Sequence, residues 1–138
     1  MVLYGVNDLN VINANENEII LAYKKIINIA HKRNILIYAG TIMPFSPYKR
    51  HKWTLNKEKV RTEVNNWIRN TKPEDGGFDA FFDYDYFLKD PLNETRLNEI
   101  YDSGDGIHPS TEGLKKMVET IKDFNLFIKS PQFQNQNN

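Results

Sequence analysis

Cysteine is absent from the 138 residues, which excludes disulfide staples, thiolate metal sites and a cysteine nucleophile while leaving the compartment open. A dominant charge is absent too, since 18 basic and 18 acidic side chains cancel to a formal net charge of +0. General nucleic-acid binders draw their affinity from phosphate neutralisation, so this balance argues against one. No apolar run approaches the ~20 residues of a membrane-spanning helix. The N-terminus has neither the basic region nor the cleavable apolar core of a signal peptide. Internal repeats and linkers are also lacking. What remains is 40% hydrophobic and 26% charged, a composition suited to one globular domain with a real core. The expected organisation is a single domain over 1–129 and a polar, Gln/Asn-rich, disordered tail over 130–138.

Met1-Val2-Leu3-Tyr4 reads as a buried strand beginning at the first residue, an abrupt opening that predicts further sequence upstream. A polar loop follows, with Asn15 and Glu18 spaced as a capping box. Ile19, Tyr23, Ile26, Ile27 and Ala30 then recur at helical spacing, and Lys32-Arg33-Asn34 closes that helix. Residues 35–39 form a continuous apolar run of strand length that continues through Thr41-Ile42-Met43 to Pro44. Pro47 and the basic Lys49-Arg50-His51-Lys52 mark a long loop.

Val60, Val64, Trp67 and Ile68 outline a second amphipathic helix, ended by Asn70 and Pro73. Residues 78–84 read as a third strand broken by Asp90-Pro91, with a short helix around Arg96 to Ile100. Ser110 is the expected N-cap of a last helix whose buried stripe is Leu114, Met117, Val118 and Ile121. Alternation of strand and helix in this order predicts an α/β fold with parallel strands and right-handed crossovers. Reactive residues of such sheets gather on loops at the carboxyl ends of the strands. Asn7, the stretch 45–52 and the pair Asp105/His108 all fall at that edge.

Asp105-Gly106-Ile107-His108-Pro109 and Gly5-Val6-Asn7-Asp8 are the two segments that carry chemistry. A carboxylate beside an imidazole selects its tautomer and stabilises the imidazolium formed in general-base catalysis. Gly106 permits the turn that brings Asp105 to the ring of His108. A side-chain amide at Asn7 suits a developing oxyanion, and Gly5 lets backbone approach a substrate. The plainer alternative is a solvated Asp-Gly turn and an ordinary helix-entry Asn-Asp.

Taken together, the two segments resemble the SGNH, or GDSL-type, esterases and acylhydrolases. Gly5-Val6-Asn7-Asp8 matches the family's third block, and Asp105-Gly106-Ile107-His108-Pro109 its fifth. Thr41-Ile42-Met43-Pro44-Phe45, the stretch from Phe78 to Asp83 with Asp90-Pro91, and the run Tyr101 to Gly106 are similar to the family's intervening segments.

The resemblance implies a three-layer, flavodoxin-like α/β fold with strand order 2-1-3-4-5, of which the first two strands would lack a counterpart here. It implies ester hydrolysis through a serine, with no metal or organic cofactor. His108 is then the base, Asp105 its partner and Asn7 an oxyanion donor, with Gly5, Asp8 and Gly106 shaping the site. The Gly-Asp-Ser block bearing the nucleophile, and the second-block Gly, would both lie before Met1. No serine here is identified as a substitute: Ser110 reads as a cap, Ser103 as a turn residue, Ser46 as a loop residue and Ser130 as part of the tail.

Small carboxylic esters or O-acetylated carbohydrates are the implied substrates. The expectation is a C-terminal portion of such a hydrolase, weakly stable or self-associating through its exposed first strand. A split enzyme and a non-catalytic remnant binding a glycan or a partner are the alternatives. Elsewhere, His31 reads as a dipole-compensating surface residue, and Trp67 as core. Trp53 and Tyr48 are candidates for stacking on a sugar, and Lys49 to Lys52 for contacting an anionic substrate. A metal held by Asp105, His108 and Asp8 ranks below these.

Overall fold

A computed structural model describes residues 1–46 and 53–122. In chain order the elements are α1 (Val6–Val11), α2 (Glu16–His31), β1 (Tyr38–Gly40), α3 (Leu55–Asn70), β2 (Ala80–Phe82), α4 (Tyr84–Leu88), β3 (Lys89–Asp90), β4 (Asn93–Leu97) and α5 (Thr111–Lys122), with a short 3-10 turn at Pro73–Asp75. Val2 bridges Ala39 in parallel, and β1 pairs in parallel with β2, so the N-terminal segment, β1 and β2 lie side by side. This is the parallel α/β arrangement that the alternating pattern predicts.

The sheet divides the interior into two layers. On one face Val2, Ala39 and Ile42 meet Ile19, Tyr23 and Ile27 of α2 and Val60, Val64 and Ile68 of α3. On the other, Phe82, Tyr84, Leu88 and Leu97 form a smaller cluster, with Tyr38, Met43, Tyr101 and Met117 packed against it. The period-2 alternation of a strand accounts for this: Tyr38 and Ala39 point to opposite faces. Trp67 packs against the first cluster as expected.

The helix boundaries follow local chemistry. Asn15 accepts the N–H of Glu18 while the Glu18 carboxylate accepts that of Asn15, a complete capping box at the start of α2. Thr54 caps α3 through the Lys57 N–H. Ser110 Oγ accepts from the N–H of Gly113 at 3.1 Å and so caps α5 as expected.

Four expectations need correction. The opening segment is buried only at Val2; Met1, Leu3 and Tyr4 are exposed. Val2 bonds to Tyr38 and Gly40, whereas the N–H and C=O of Leu3 have no partner among the described residues. The third strand ends at Phe82 because Asp83 turns its carboxylate to the N–H of Tyr86 and starts α4. Around Arg96 the chain is strand, not helix: Asp90 Oδ1 accepts from Leu92 N and Oδ2 from Arg96 Nε, closing a hairpin across Asp90-Pro91.

The fourth concerns α5. Its buried residues are Gly113 and Thr120, with Met117 partly covered, while Leu114, Val118 and Ile121 are exposed. The expectations for Pro47, Tyr48, the 49–52 basic run and the 130–138 tail lie outside the described residues.

Candidate active site

The two chemistry-bearing segments meet around one buried side chain, Ile42. Gly5 begins α1 with φ 115°, a left-handed conformation that only glycine adopts without strain. A Cβ there would collide with Ile42 Cδ1 and lie 3.0 Å from the Tyr23 hydroxyl. Tyr23 itself donates to the Tyr4 carbonyl at 2.6 Å, which fixes the turn into α1. Burial, with the Asp8 carboxylate adding to it, pushes the Tyr23 phenol well above its ordinary value, so it remains a donor. Asn7 therefore sits exposed in the first turn of a short helix, past the end of the Val2 segment.

Ile42 is held from below. Asn65, fully buried on α3, accepts from Ile42 N at 2.7 Å and donates to Ile42 O at 2.8 Å. Arg61 Nη1 reaches the same carbonyl at 2.9 Å. Arg61 also pairs with Glu58 and, at 2.5 Å, with Asp85, and Arg69 joins Asp83 and Asp85 from two turns further along the helix. Thr41 Oγ1 donates to Asp83 and accepts from Asp85 N. Burial opposes ionisation of Asp85, but the charges of Arg61 and Arg69 and their hydrogen bonds outweigh it and hold the carboxyl below its ordinary range. The pattern Thr41 to Phe45 thus marks a pinned, buried segment at the end of β1.

Beyond it lies the loop carrying His108. Asp102 and Pro109 form an isolated bridge, with Ser103 N donating to His108 O and Ser110 N to Tyr101 O. Inside the loop Asp102 Oδ1 accepts from the N–H groups of Gly104 and Gly106. Asp105 Oδ1 accepts from Ile107 N and His108 N, and its Oδ2 stands 2.5 Å from His108 Nδ1.

Burial opposes ionisation of Asp105, but the hydrogen bonds from the His108 ring and from the two backbone N–H groups together outweigh it, so the carboxyl is held well below the usual carboxylate range. An ionised partner accepts, so Nδ1 carries a proton and Nε2 is the ring nitrogen turned away from the carboxylate. Nε2 has no hydrogen-bond partner among the described residues, and the side chain is 70% exposed. Ile107 lines a small cleft with Leu3, Tyr4, Val6, Ile42 and Met43. The immediate neighbours of Asn7 and His108 therefore share one cleft.

Asp8 does not join them. It lines a separate groove with Tyr4, Ile12, Glu18 and Tyr23 on the α2 side. Among the described residues no three His, Asp or Glu side chains come together to hold a metal. Gly106, buried with φ 83°, makes the turn between Asp102 and His108.

Of the serines, Ser110 uses its hydroxyl on Ile100 O and the α5 cap, Ser46 is buried with its N–H on Thr95 O, and Ser103 contributes a backbone bond to the loop. Among the described residues no serine hydroxyl bonds to His108. Trp53 is partly buried, packed against the first cluster. His31 is more than a surface charge: its Nε2 lies 3.0 Å from the buried Asp79, which also accepts from Ile37 N.

Four positioning residues escaped the sequence. Tyr23 looked like one more apolar stripe position, and Asn65 and Arg61 like the polar face of α3. Asp102 looked like one turn residue among several. Long-range partners give the first three their roles, and Asp102 gains its own from the two glycine N–H groups that it gathers inside the loop.

The fold is shared with solved structures. A GDSL-like lipase from Bacteroides thetaiotaomicron VPI-5482 superposes with a TM-score of 0.75 at 20% identity, over 90% of this chain and 60% of that one. A carbohydrate esterase family 3 structure from Talaromyces cellulolyticus gives 0.62 at 20% identity, over 90% and 55%. At such identity the likeness is one of fold, and this chain spans less than two thirds of either neighbour. No curated protein matches it in sequence. The family model of the GDSL-like Lipase/Acylhydrolases matches residues 1–121, so the chain belongs to that family.

Proposed function

We propose that this chain carries the general base and one oxyanion donor of a serine-dependent carboxylic ester hydrolase. The attacking serine comes from sequence outside these 138 residues. The carrying observation is the Asp105–His108 pair, with Nδ1 held at 2.5 Å by a carboxylate and Nε2 free, in a loop that shares a cleft with the start of α1.

In the complete enzyme the serine oxygen attacks the ester carbonyl as its proton passes to His108 Nε2. The oxyanion accepts a hydrogen bond from Asn7 Nδ2. Collapse of the tetrahedral species expels the alcohol, which takes the proton from His108, and water repeats the sequence to release the acid. Asp105 keeps the imidazole in the productive tautomer throughout. Small carboxylic esters and O-acetylated carbohydrates are the substrates proposed, and the reaction needs no cofactor. A carbohydrate esterase among the fold neighbours supports the second class.

The open N–H and C=O of Leu3 support an external serine. A further parallel strand laid there would end at the same sheet edge as Asn7. In the chain alone, that edge is also the place for self-association.

A fluorophosphonate probe tests the reading directly. The 138-residue chain is expected to show no stoichiometric acylation, and rapid single-site labelling would place the nucleophile among its own serines and overturn the proposal. In a gene product that includes upstream Gly-Asp-Ser sequence, Asn7→Ala is expected to lower kcat by roughly a hundred- to thousand-fold. If neither the upstream reading frame nor a neighbouring gene encodes that block, the chain is a non-catalytic binding module instead.

A further inference from the structure

α5 is the most strongly amphipathic of the three long helices, yet it turns its apolar stripe away from the core. Leu114 and Val118 are each 54% exposed and Ile121 is 40% exposed, although their spacing places them on one face. The side that does pack is made of Gly113 and Thr120. Gly113 permits a close approach: a Cβ there would stand 2.6 Å from Tyr101 O and 3.0 Å from Pro109 Cβ. The helix is thus locked on the His108 loop by its small face, and an open groove runs along the rest, lined by Thr111, Leu114, Lys115, Val118, Glu119 and Lys122.

We infer that this outward face of α5 pairs with the same helix of a second copy of the chain, antiparallel across a two-fold axis level with Met117. The charges beside the stripe select that occupant. Lys115 and Glu119 lie on the same flank, one turn apart. In antiparallel packing, residues equidistant from the axis in opposite directions meet, so Lys115 faces the partner's Glu119 and Glu119 the partner's Lys115. Leu114, three residues before the axis, comes within one residue of level with the partner's Ile121, four residues beyond it, and Val118 lies beside its own copy near the axis. A parallel arrangement would instead set this flank against the partner's opposite one, where Gly113 and Met117 pack on the chain's own core, and would leave both charges unpaired.

The face is therefore self-complementary in the sense that a closed dimer requires. The present partners of these charges, Glu112 for Lys115 and Lys116 for Glu119, are exposed pairs within the helix that exchange at little cost. Burying the apolar stripe supplies the drive for association. This inference does not depend on the ester-hydrolase reading.

Sedimentation velocity and light scattering on the 138-residue chain test it. A dimer is expected, dissociated by Val118→Lys with an unchanged circular-dichroism spectrum. Lys115→Glu or Glu119→Lys alone should weaken dimerisation by roughly tenfold or more, and the double exchange should restore it. Because the chain has no cysteine, Val118→Cys adds a single thiol that should oxidise to a covalent dimer, whereas Ile29→Cys on the exposed side of α2 should not.

A chain that stays monomeric at all concentrations overturns the proposal, whether α5 is bare or covered by residues 123–138. A dimer that survives Val118→Lys, or that only Leu3→Pro dissolves, also overturns it. So does failure of the double exchange to rescue.

Discussion

The two faces of the sheet are finished to different degrees. Under α2 and α3, apolar burial is nearly complete and polar groups are bound from several sides: Asn65 satisfies both backbone groups of Ile42, and Arg61 and Arg69 bridge three carboxylates. Across the sheet, the cluster under α4 and α5 is small, and the apolar stripe of α5 faces outward. The His108 loop is held by its own backbone, by two aspartates and by the single apolar anchor Ile107, which reaches back into the first cluster. The first face supplies the rigidity that positions Ile42, and the loops at the sheet edge, anchored on it by Leu9 and Ile107, present the chemistry. A side chain that must meet a substrate has to stay exposed, so the site is built on rigid roots with a free tip.

The contrast is broken most severely from its rigid side. Arg61→Ala removes one of the two partners of Asp85 and one of the two of the Ile42 carbonyl, and is expected to cost about 3 kcal/mol in urea denaturation. A loss below about 1 kcal/mol would mean that the network is wet and the two faces are less different than described. Gly113→Ala tests the junction between them. Its new methyl meets the Tyr101 carbonyl oxygen, so about 1–3 kcal/mol should be lost and the His108 resonances in an NMR spectrum should shift.

Acid titration sharpens the comparison further. The folded carboxyl of Asp85 lies below its unfolded value of ~3.9, so its contribution is complete above that value and is lost as pH falls through the folded pKa. Unfolding monitored by tryptophan fluorescence should therefore be insensitive to Asp85 above about pH 5 and become steep below about pH 4, and Asp85→Asn should flatten the step. Asp105 has the same sign, since its carboxylate stays ionised as pH drops through the ordinary range. The smallest effect belongs to the exposed tip. His108→Ala should change stability by no more than about 0.5 kcal/mol. A larger loss would show that the imidazole supports the loop rather than being presented by it.

Much of this architecture was legible beforehand because its causes are local. The capping box at Asn15 and Glu18, the stripes of α2 and α3, and the Ser110 cap follow from spacing within a few residues. So does the Asp105–His108 pair, because one loop brings both groups to each other. The hairpin at Asp90-Pro91 escaped for a different reason: Arg96 could have belonged to a helix until its guanidinium met Asp90. Residues 78–84 read as one strand because Phe and Tyr suit both states, and Asp83 decided between them by capping α4.

By itself the sequence determined the alternation of strands and helices, the family, and the residue types of a proton-transfer pair, all of which depend on periodicity and short-range chemistry. Only the tertiary structure decided that Ile42 joins the Asn7 and His108 segments, that Tyr23, Asn65 and Arg61 hold it, and which side of α5 meets the core. Those outcomes depend on contacts between distant residues, 19 positions apart for Arg61 and Ile42 and 23 for Asn65 and Ile42, and no local pattern encodes which distant surface a side chain will find.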